Sequence, residues 1–228
     1  MTAATPPVRW YIMATRNRKA PRSTLVLLVR HGETPTTGKV LPGRAKGLHL
    51  SERGRGQAER VAERLAGVAV DAIRTSPLER TRETAEPAEA RTGREAVVDP
   101  GLLECDFGEW TGEEISRLSR LKAWSTVQRA PSTFRFPGGE SFTEMQARVV
   151  GAVDRARTAH EGGVVVCFSH ADPIKAVLAH ALGTHLDLFQ RIVVSPCSVS
   201  AISYAPGQAP VVLTVNSTDE PLTGLRVS

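Results

Sequence analysis

From Thr24 onward, short unbroken apolar runs alternate with stretches whose apolar residues recur every three or four positions. Runs of the first kind suit strands buried on both faces, and the periodic stretches suit helices packed along one side. The alternation predicts βα units around a largely parallel sheet. Leu25–Val29 is the first run and predicts a central strand. A loop of Gly, Pro and Thr follows from Gly32 to Gly47, and Ser51 then opens a helix whose Ala58, Val61, Ala62 and Leu65 share one face. A short strand is predicted at Ala72–Arg74. Behind it, Ser76-Pro77 supplies an N-cap and a first-turn proline, which puts Arg80 in the first turn of a second helix.

The stretch from Val97 to Phe136 is the least regular, with a strand-like Leu102-Leu103 and a helix expected from Glu113 to about Trp124. It reads as an insertion, bounded at 107 and 140, that caps one end of the sheet. Ser141 and Glu144 have the spacing of a capping box, and Phe142, Met145, Val149, Ala152, Val153 and Ala156 continue at helical intervals. Val164–Phe168 is a second buried run. Asp172-Pro173 then caps a helix that turns Ile174, Val177, Leu178, Ala181 and Leu182 inward and closes at Gly183. Two last strands are expected near Ser198–Tyr204 and Val211–Val215. With no internal repeat and no linker, residues 24–228 read as one α/β domain.

Composition narrows the class. Of 228 residues, 41% are apolar and 23% charged, which excludes a disordered, collagen-like or disulfide-scaffolded chain. No window approaches the roughly 18 consecutive apolar residues of a membrane helix, so no membrane partner is expected. Cys105, Cys167 and Cys197 are odd in number and lack CxxC spacing, which suggests reduced thiols in a cytoplasmic protein. The net charge of +5 comes entirely from Arg9, Arg16, Arg18, Lys19 and Arg22, because residues 1–23 contain no acid. The remainder is neutral, which argues against a nucleic-acid partner. Residues 1–23 read as a basic N-terminal extension, a solvated arm by default, with a transit peptide or polyanion-binding arm as alternatives and Met13 as another start.

Both buried runs lead directly into a histidine, in Val29-Arg30-His31-Gly32 and in Phe168-Ser169-His170. In a parallel sheet the carboxyl ends of the strands share the edge at which ligands bind, so His31 and His170 are expected to face one crevice that Arg80 also reaches. Two imidazoles with two guanidiniums suit a phosphate group, because arginine offers paired donors to its oxygens. Any one of these residues alone is more often a surface or capping group. No HxH, HExxH or Cys/His cluster occurs, so no metal is expected. His49, His160, His180 and His185 lack comparable context.

With these residues in place, the sequence resembles the histidine phosphatase superfamily, also called phosphoglycerate mutase-like, from Thr24 to about Val215. The motifs occur in the family's order: Leu-Val-Arg-His-Gly-Glu-Thr at 28–34, Leu50-Ser51 to Gly54 with Gln57-Ala58, Ser76-Pro77-Leu78-Glu79-Arg80-Thr81, Leu103 to Trp110, Pro137-Gly138-Gly139-Glu140-Ser141, and Ser169-His170. The resemblance implies a three-layer α/β sandwich with a mostly parallel central sheet. It implies His31 as a nucleophile that becomes phosphohistidine, with Arg30, Arg80 and His170 holding the phosphoryl oxygens, and Glu104 as general acid and base, with no cofactor. Where the family often has Asn six residues after the nucleophile, this chain has Thr37. Thr37 and the backbone of Gly43 are the expected substrate contacts.

Phosphatases and mutases share the phosphohistidine step and differ in the acceptor. The 28 residues between Gly108 and Pro137 carry Arg117, Arg120, Lys122, Arg129 and Arg135 but lack the longer arginine-rich insertion of glycolytic mutases. The resemblance therefore favours the short-cap phosphatase branch, acting on a small phosphate ester. A phosphomutase and a non-catalytic phospho-ligand binding protein are the alternatives. Trp110, Leu118, Leu121, Trp124, Phe134 and Phe136 are expected to pack the cap onto the sheet rather than line a pocket. A homodimer is the oligomer that general experience with soluble proteins suggests.

Overall fold

The structure, a computed structural model, describes residues 22–225. Almost all of the basic extension, including four of its five cations, lies outside the described residues. No helix among them is long and apolar enough to cross a membrane.

Six strands form one sheet: β1 (Thr24–Arg30), β2 (Ala72–Thr75), β3 (Ala96–Val98), β4 (Val164–Ser169), β5 (Val199–Tyr204) and β6 (Val211–Ser217), in the spatial order β3-β2-β4-β1-β5-β6. β1, β2, β3 and β4 are parallel, and β5 runs antiparallel to both of its neighbours. Helices α1 (Glu52–Ala66) and α2 (Glu79–Thr92) accompany α3 (Ile115–Leu118), α4 (Lys122–Arg129), α5 (Phe142–Ala159) and α6 (Ala171–Ala181). The strand period of two divides the apolar run of β1 between two cores. Leu27 and Val29 join the core beneath α1 and α2, whereas Val26 and Leu28 join the core beneath α5, α6 and the cap. All four are essentially inaccessible. The result is the three-layer sandwich that alternation and resemblance implied.

Helices α1 and α5 follow the sequence closely. Ser51 accepts the Gly54 amide at the start of α1, and both halves of the Ser141/Glu144 capping box are formed. The six apolar positions read for α5 are its buried residues.

Four local expectations change. The N-cap of α2 is Leu78 rather than Ser76-Pro77, because the carbonyl of Leu78 accepts the Thr81 and Arg82 amides. The N-cap of α6 is His170, two residues before Asp172. Pro173 then sits in the first turn, where a missing amide costs nothing, and at the other end of this helix Leu182 is exposed instead of buried. Leu102-Leu103 is no strand. The Asp99 side chain accepts the Gly101 amide and winds Pro100–Leu102 into a 3₁₀ turn. The neighbouring edge strand β3 escaped notice because it is three residues long and leaves Val97 and Val98 exposed.

The helix expected over 113–124 is broken into α3 and α4. Leu118 and Val127 are both buried in the same core. Nine positions at about 100° each would set them on opposite sides of one straight helix, so the turn between α3 and α4 lets both face inward. In the cap, Trp110 packs against Trp124, Phe134 and Phe136 at centroid distances of 6.3, 5.5 and 5.4 Å, and Phe136 meets Phe142 of α5 at 5.2 Å. These aromatics fasten the cap, as expected, while Leu121 is exposed.

Candidate active site

The register of two strands builds the centre of the site. β1 and β4 pair so that Arg30 lies opposite Ser169, and the residue just beyond each strand is a histidine. His31 and His170 consequently stand side by side at the carboxyl edge, edge to face, with ring centroids 5.2 Å apart. Both rings are buried. The loop that leaves His31 is pressed onto α1, where a Cβ on Gly54 would fall 2.0 Å from the carbonyl oxygen of Glu33. Only glycine permits that approach. The amide of Gly32 donates to Thr84 Oγ1 of α2 at 3.0 Å, which ties the loop to the second helix.

The tautomer of His31 follows from its partner. Its Nδ1 lies 2.7 Å from the carbonyl oxygen of Gly32, which can only accept, so Nδ1 carries the proton and Nε2 keeps its lone pair. Burial above all, and then the charges of Arg80 and Arg30, hold the His31 pKa well below the ordinary histidine value. His170 is likewise lowered by burial and then by Arg80, and its Nε2 pairs with Ser76 Oγ at 2.8 Å. The Ser76 hydroxyl thus supports an imidazole instead of capping α2.

Arg80 is fully buried, and its Nη2 donates to the carbonyl of Gly43 at 2.8 Å. Arg30 Nη1 donates to the carbonyl of Val194 at 2.7 Å. Among the described residues, Arg30 Nε, Arg80 Nε and Nη1, His170 Nδ1, Glu79 Oε2 and Ser198 Oγ are buried without a protein partner. Unpaired buried polar atoms are rare because each costs its full desolvation. Four of these six atoms, all nitrogens, belong to Arg30, Arg80 and His170.

Glu104 is also buried, and its Oε1 accepts the Cys105 amide at 2.9 Å. Its pKa is pushed up to about 7, chiefly by burial and next by the carboxylate of Asp172, against smaller opposing effects of the Cys105 amide, Arg80 and Arg30. Asp172 Oδ1 is 3.3 Å from Lys175 Nζ. His31, His170 and Glu104 all feel the charges of Arg30 and Arg80, so these five residues share one region of the fold.

Thr37 and Gly43 have more local engagements. Thr37 Oγ1 accepts the Thr34 amide at 2.9 Å. Gly43 has φ +51°, a conformation that favours glycine, and its carbonyl braces Arg80. His49 pairs with Glu83, and His49, His180 and His185 are exposed.

Sequence reasoning missed Ser76, Thr84 and Asp172, the first and last because they were read as caps. It also gave no role to Arg44, Glu140 and Arg148. Glu140 had a signal in Pro-Gly-Gly-Glu-Ser, whereas Arg148 belongs to no motif.

A cluster of buried imidazoles and guanidiniums, at the carboxyl edge of the parallel strands and beside a helical cap, defines the class as a phosphoglycerate mutase-like α/β sandwich. The chain belongs to the histidine phosphatase superfamily (branch 1), whose family profile matches residues 26–218. Membership makes it an enzyme of the phosphatase and phosphomutase class. It is 33% identical over 202 residues to phosphoserine phosphatase 1 of Hydrogenobacter thermophilus, covering 85% of this chain and 92% of the relative. It is 31% identical over 182 residues to a probable phosphoglycerate mutase of Cronobacter sakazakii, covering 78% and 84% respectively. A solved structure of mycobacterial glucosyl-3-phosphoglycerate phosphatase superposes with a TM-score of 0.78 at 25% identity, over 86% of this chain and 100% of its own.

Proposed function

We propose that the protein is a metal-independent phosphomonoesterase that hydrolyses a small phosphorylated metabolite through a phosphohistidine at His31. The observation that carries this reading is the cluster of buried, unpartnered donors on Arg30, Arg80 and His170 around an imidazole whose Nε2 lone pair is free. A phosphoryl group satisfies those donors, and its negative charge is balanced by two guanidiniums already desolvated.

In the first half-reaction His31 Nε2 forms a bond to phosphorus as the ester P–O bond breaks. Glu104 gives its proton to the departing alkoxide, a task suited to a carboxyl whose pKa lies near neutrality. In the second, Glu104 takes a proton from water, the water oxygen bonds to phosphorus, and the P–N bond breaks to release phosphate and neutral His31. Arg30, Arg80 and His170 hold the equatorial oxygens throughout, so catalysis rests on positioning and electrostatics.

Water is favoured as the acceptor over a second substrate hydroxyl. Arg117, Arg120, Lys122, Arg129 and Arg135 are all exposed, and Arg117 and Arg135 are paired with Glu113 and Glu144. None is buried in the manner of Arg80. The test is a panel of phosphate esters in the presence of chelator, with an alkaline denaturing quench to trap the phosphoenzyme. An acid-labile phosphate on His31 and free phosphate as product support the reading. Conversion of 3-phosphoglycerate to 2-phosphoglycerate would establish the mutase instead. Tight binding of phosphate esters without turnover would leave the binding protein.

A further inference from the structure

We propose that Arg44, Glu140 and Arg148 form a clamp that positions Glu104 for proton transfer; the inference rests on the reading of Glu104 as the general acid. Glu104 lies on irregular backbone between a 3₁₀ turn and the cap, with no strand or helix ladder to fix it. Four consecutive carbonyls leading to it accept from side chains instead. Gly101 and Leu103 accept from Arg148 Nη1 at 2.9 and 3.0 Å, and Leu102 accepts from Ser169 Oγ at 2.7 Å. The carbonyl of Glu104 itself accepts twice, from Arg44 Nε at 2.9 Å and Arg148 Nη2 at 3.3 Å. On the far side of the same peptide unit, the Cys105 amide donates to Glu104 Oε1. Backbone and carboxyl are thereby locked to each other.

Glu140 holds the two guanidiniums in place. Its Oε1 accepts Arg148 Nε at 2.8 Å, and its Oε2 accepts Arg148 Nη2 at 2.8 Å and Arg44 Nη2 at 3.0 Å. The fork of Arg148 is thus engaged bidentately, which fixes direction as well as distance. Glu140 Oε2 also accepts the Asp106 amide at 3.3 Å, and Arg44 Nη1 lies 3.6 Å from Asp106 Oδ2. Two cations and two carboxylates leave the cluster neutral. Its effect on Glu104 is therefore geometric, and hydrogen bonds at the carbonyl also polarise the Cys105 amide that orients the carboxyl. Lysine in place of either arginine keeps the charge and loses the fork.

A positioning role differs from a merely structural one in its dependence on the leaving group. Alkoxide departure needs the proton of Glu104, whereas 4-nitrophenolate leaves unprotonated. Single-turnover phosphorylation is to be measured for Arg148→Gln, Arg148→Lys, Arg44→Gln and Glu140→Gln, beside Glu104→Gln, with 4-nitrophenyl phosphate and with the alkyl phosphate that the wild type turns over fastest. The expected result is a loss of about 10²-fold on the alkyl ester for the clamp variants, the scale of a misplaced catalytic group. The 4-nitrophenolate burst should stay within about threefold, since proton donation contributes little there. Arg148→Lys and Arg44→Gln approach the carbonyl from different elements, so a folding failure of one variant leaves the other decisive. Equal losses on both esters, or none, with Glu104→Gln still selective, would overturn the clamp alone. A Glu104→Gln variant without selectivity would overturn the general acid and the clamp together.

Discussion

His31 and His170 stand 5.2 Å apart, centroid to centroid, because each is the residue immediately beyond a register pair, Arg30 opposite Ser169, on neighbouring parallel strands. One imidazole is pinned by a carbonyl and the other by a serine hydroxyl, and burial keeps both neutral.

His31→Ala removes the attacking nitrogen and leaves the cationic pocket intact. Turnover of phosphate esters should fall by at least about 10²-fold, and no phosphoenzyme should be trapped. Phosphate should still bind, as measured by calorimetry. Wild-type rates in this variant would exclude His31 as the nucleophile.

The pH dependence of kcat/KM should be bell-shaped, with its alkaline limb near 7, where Glu104 loses the proton it must donate. The acid limb should lie well below the ordinary histidine pKa, since His31 resists protonation. Asp172 raises the Glu104 pKa, so Asp172→Asn should move the alkaline limb to lower pH. An unmoved limb would separate Asp172 from Glu104.

Arg80→Met separates stability from function. The guanidinium is fully buried with two nitrogens unpartnered, so without a bound anion its desolvation is poorly compensated, and an apolar side chain of similar length removes that cost. The thermal midpoint should hold or rise while activity falls by about 10²-fold. Inorganic phosphate should raise the midpoint of the wild type far more than that of the variant. A large loss of stability would mean that Arg80 serves the fold.

Gly54→Ala tests the seat of the nucleophile loop. Its Cβ would meet the Glu33 carbonyl at 2.0 Å, backbone against backbone, so relief requires the loop after His31 to move. Overpacking of this kind costs about 1–3 kcal/mol. Both the thermal midpoint and kcat should fall, whereas Gly93→Ala, with nothing near the new Cβ, should spare kcat.

Much of this protein is settled by its linear order of residues. Unbroken apolar runs at Leu25–Val29 and Val164–Phe168 had to be interior strands, since a chain cannot leave such runs in water, and the period of α5 marked its buried face to the residue. Each of those runs led into a histidine, so the location of the chemistry was legible too. Register and long-range packing were not. The apposition of two imidazoles, the orphaned nitrogens of Arg30 and Arg80, and the convergence of Arg44 and Arg148 on one carbonyl exist only once distant segments meet. Ser76 and Asp172 show why: as local sequence both read as helix caps, because a short polar side chain before a helix is cheapest when it caps. In the folded chain the Ser76 hydroxyl pairs with a buried imidazole, while Asp172 lies one step inside its helix with its charge felt by a buried carboxyl.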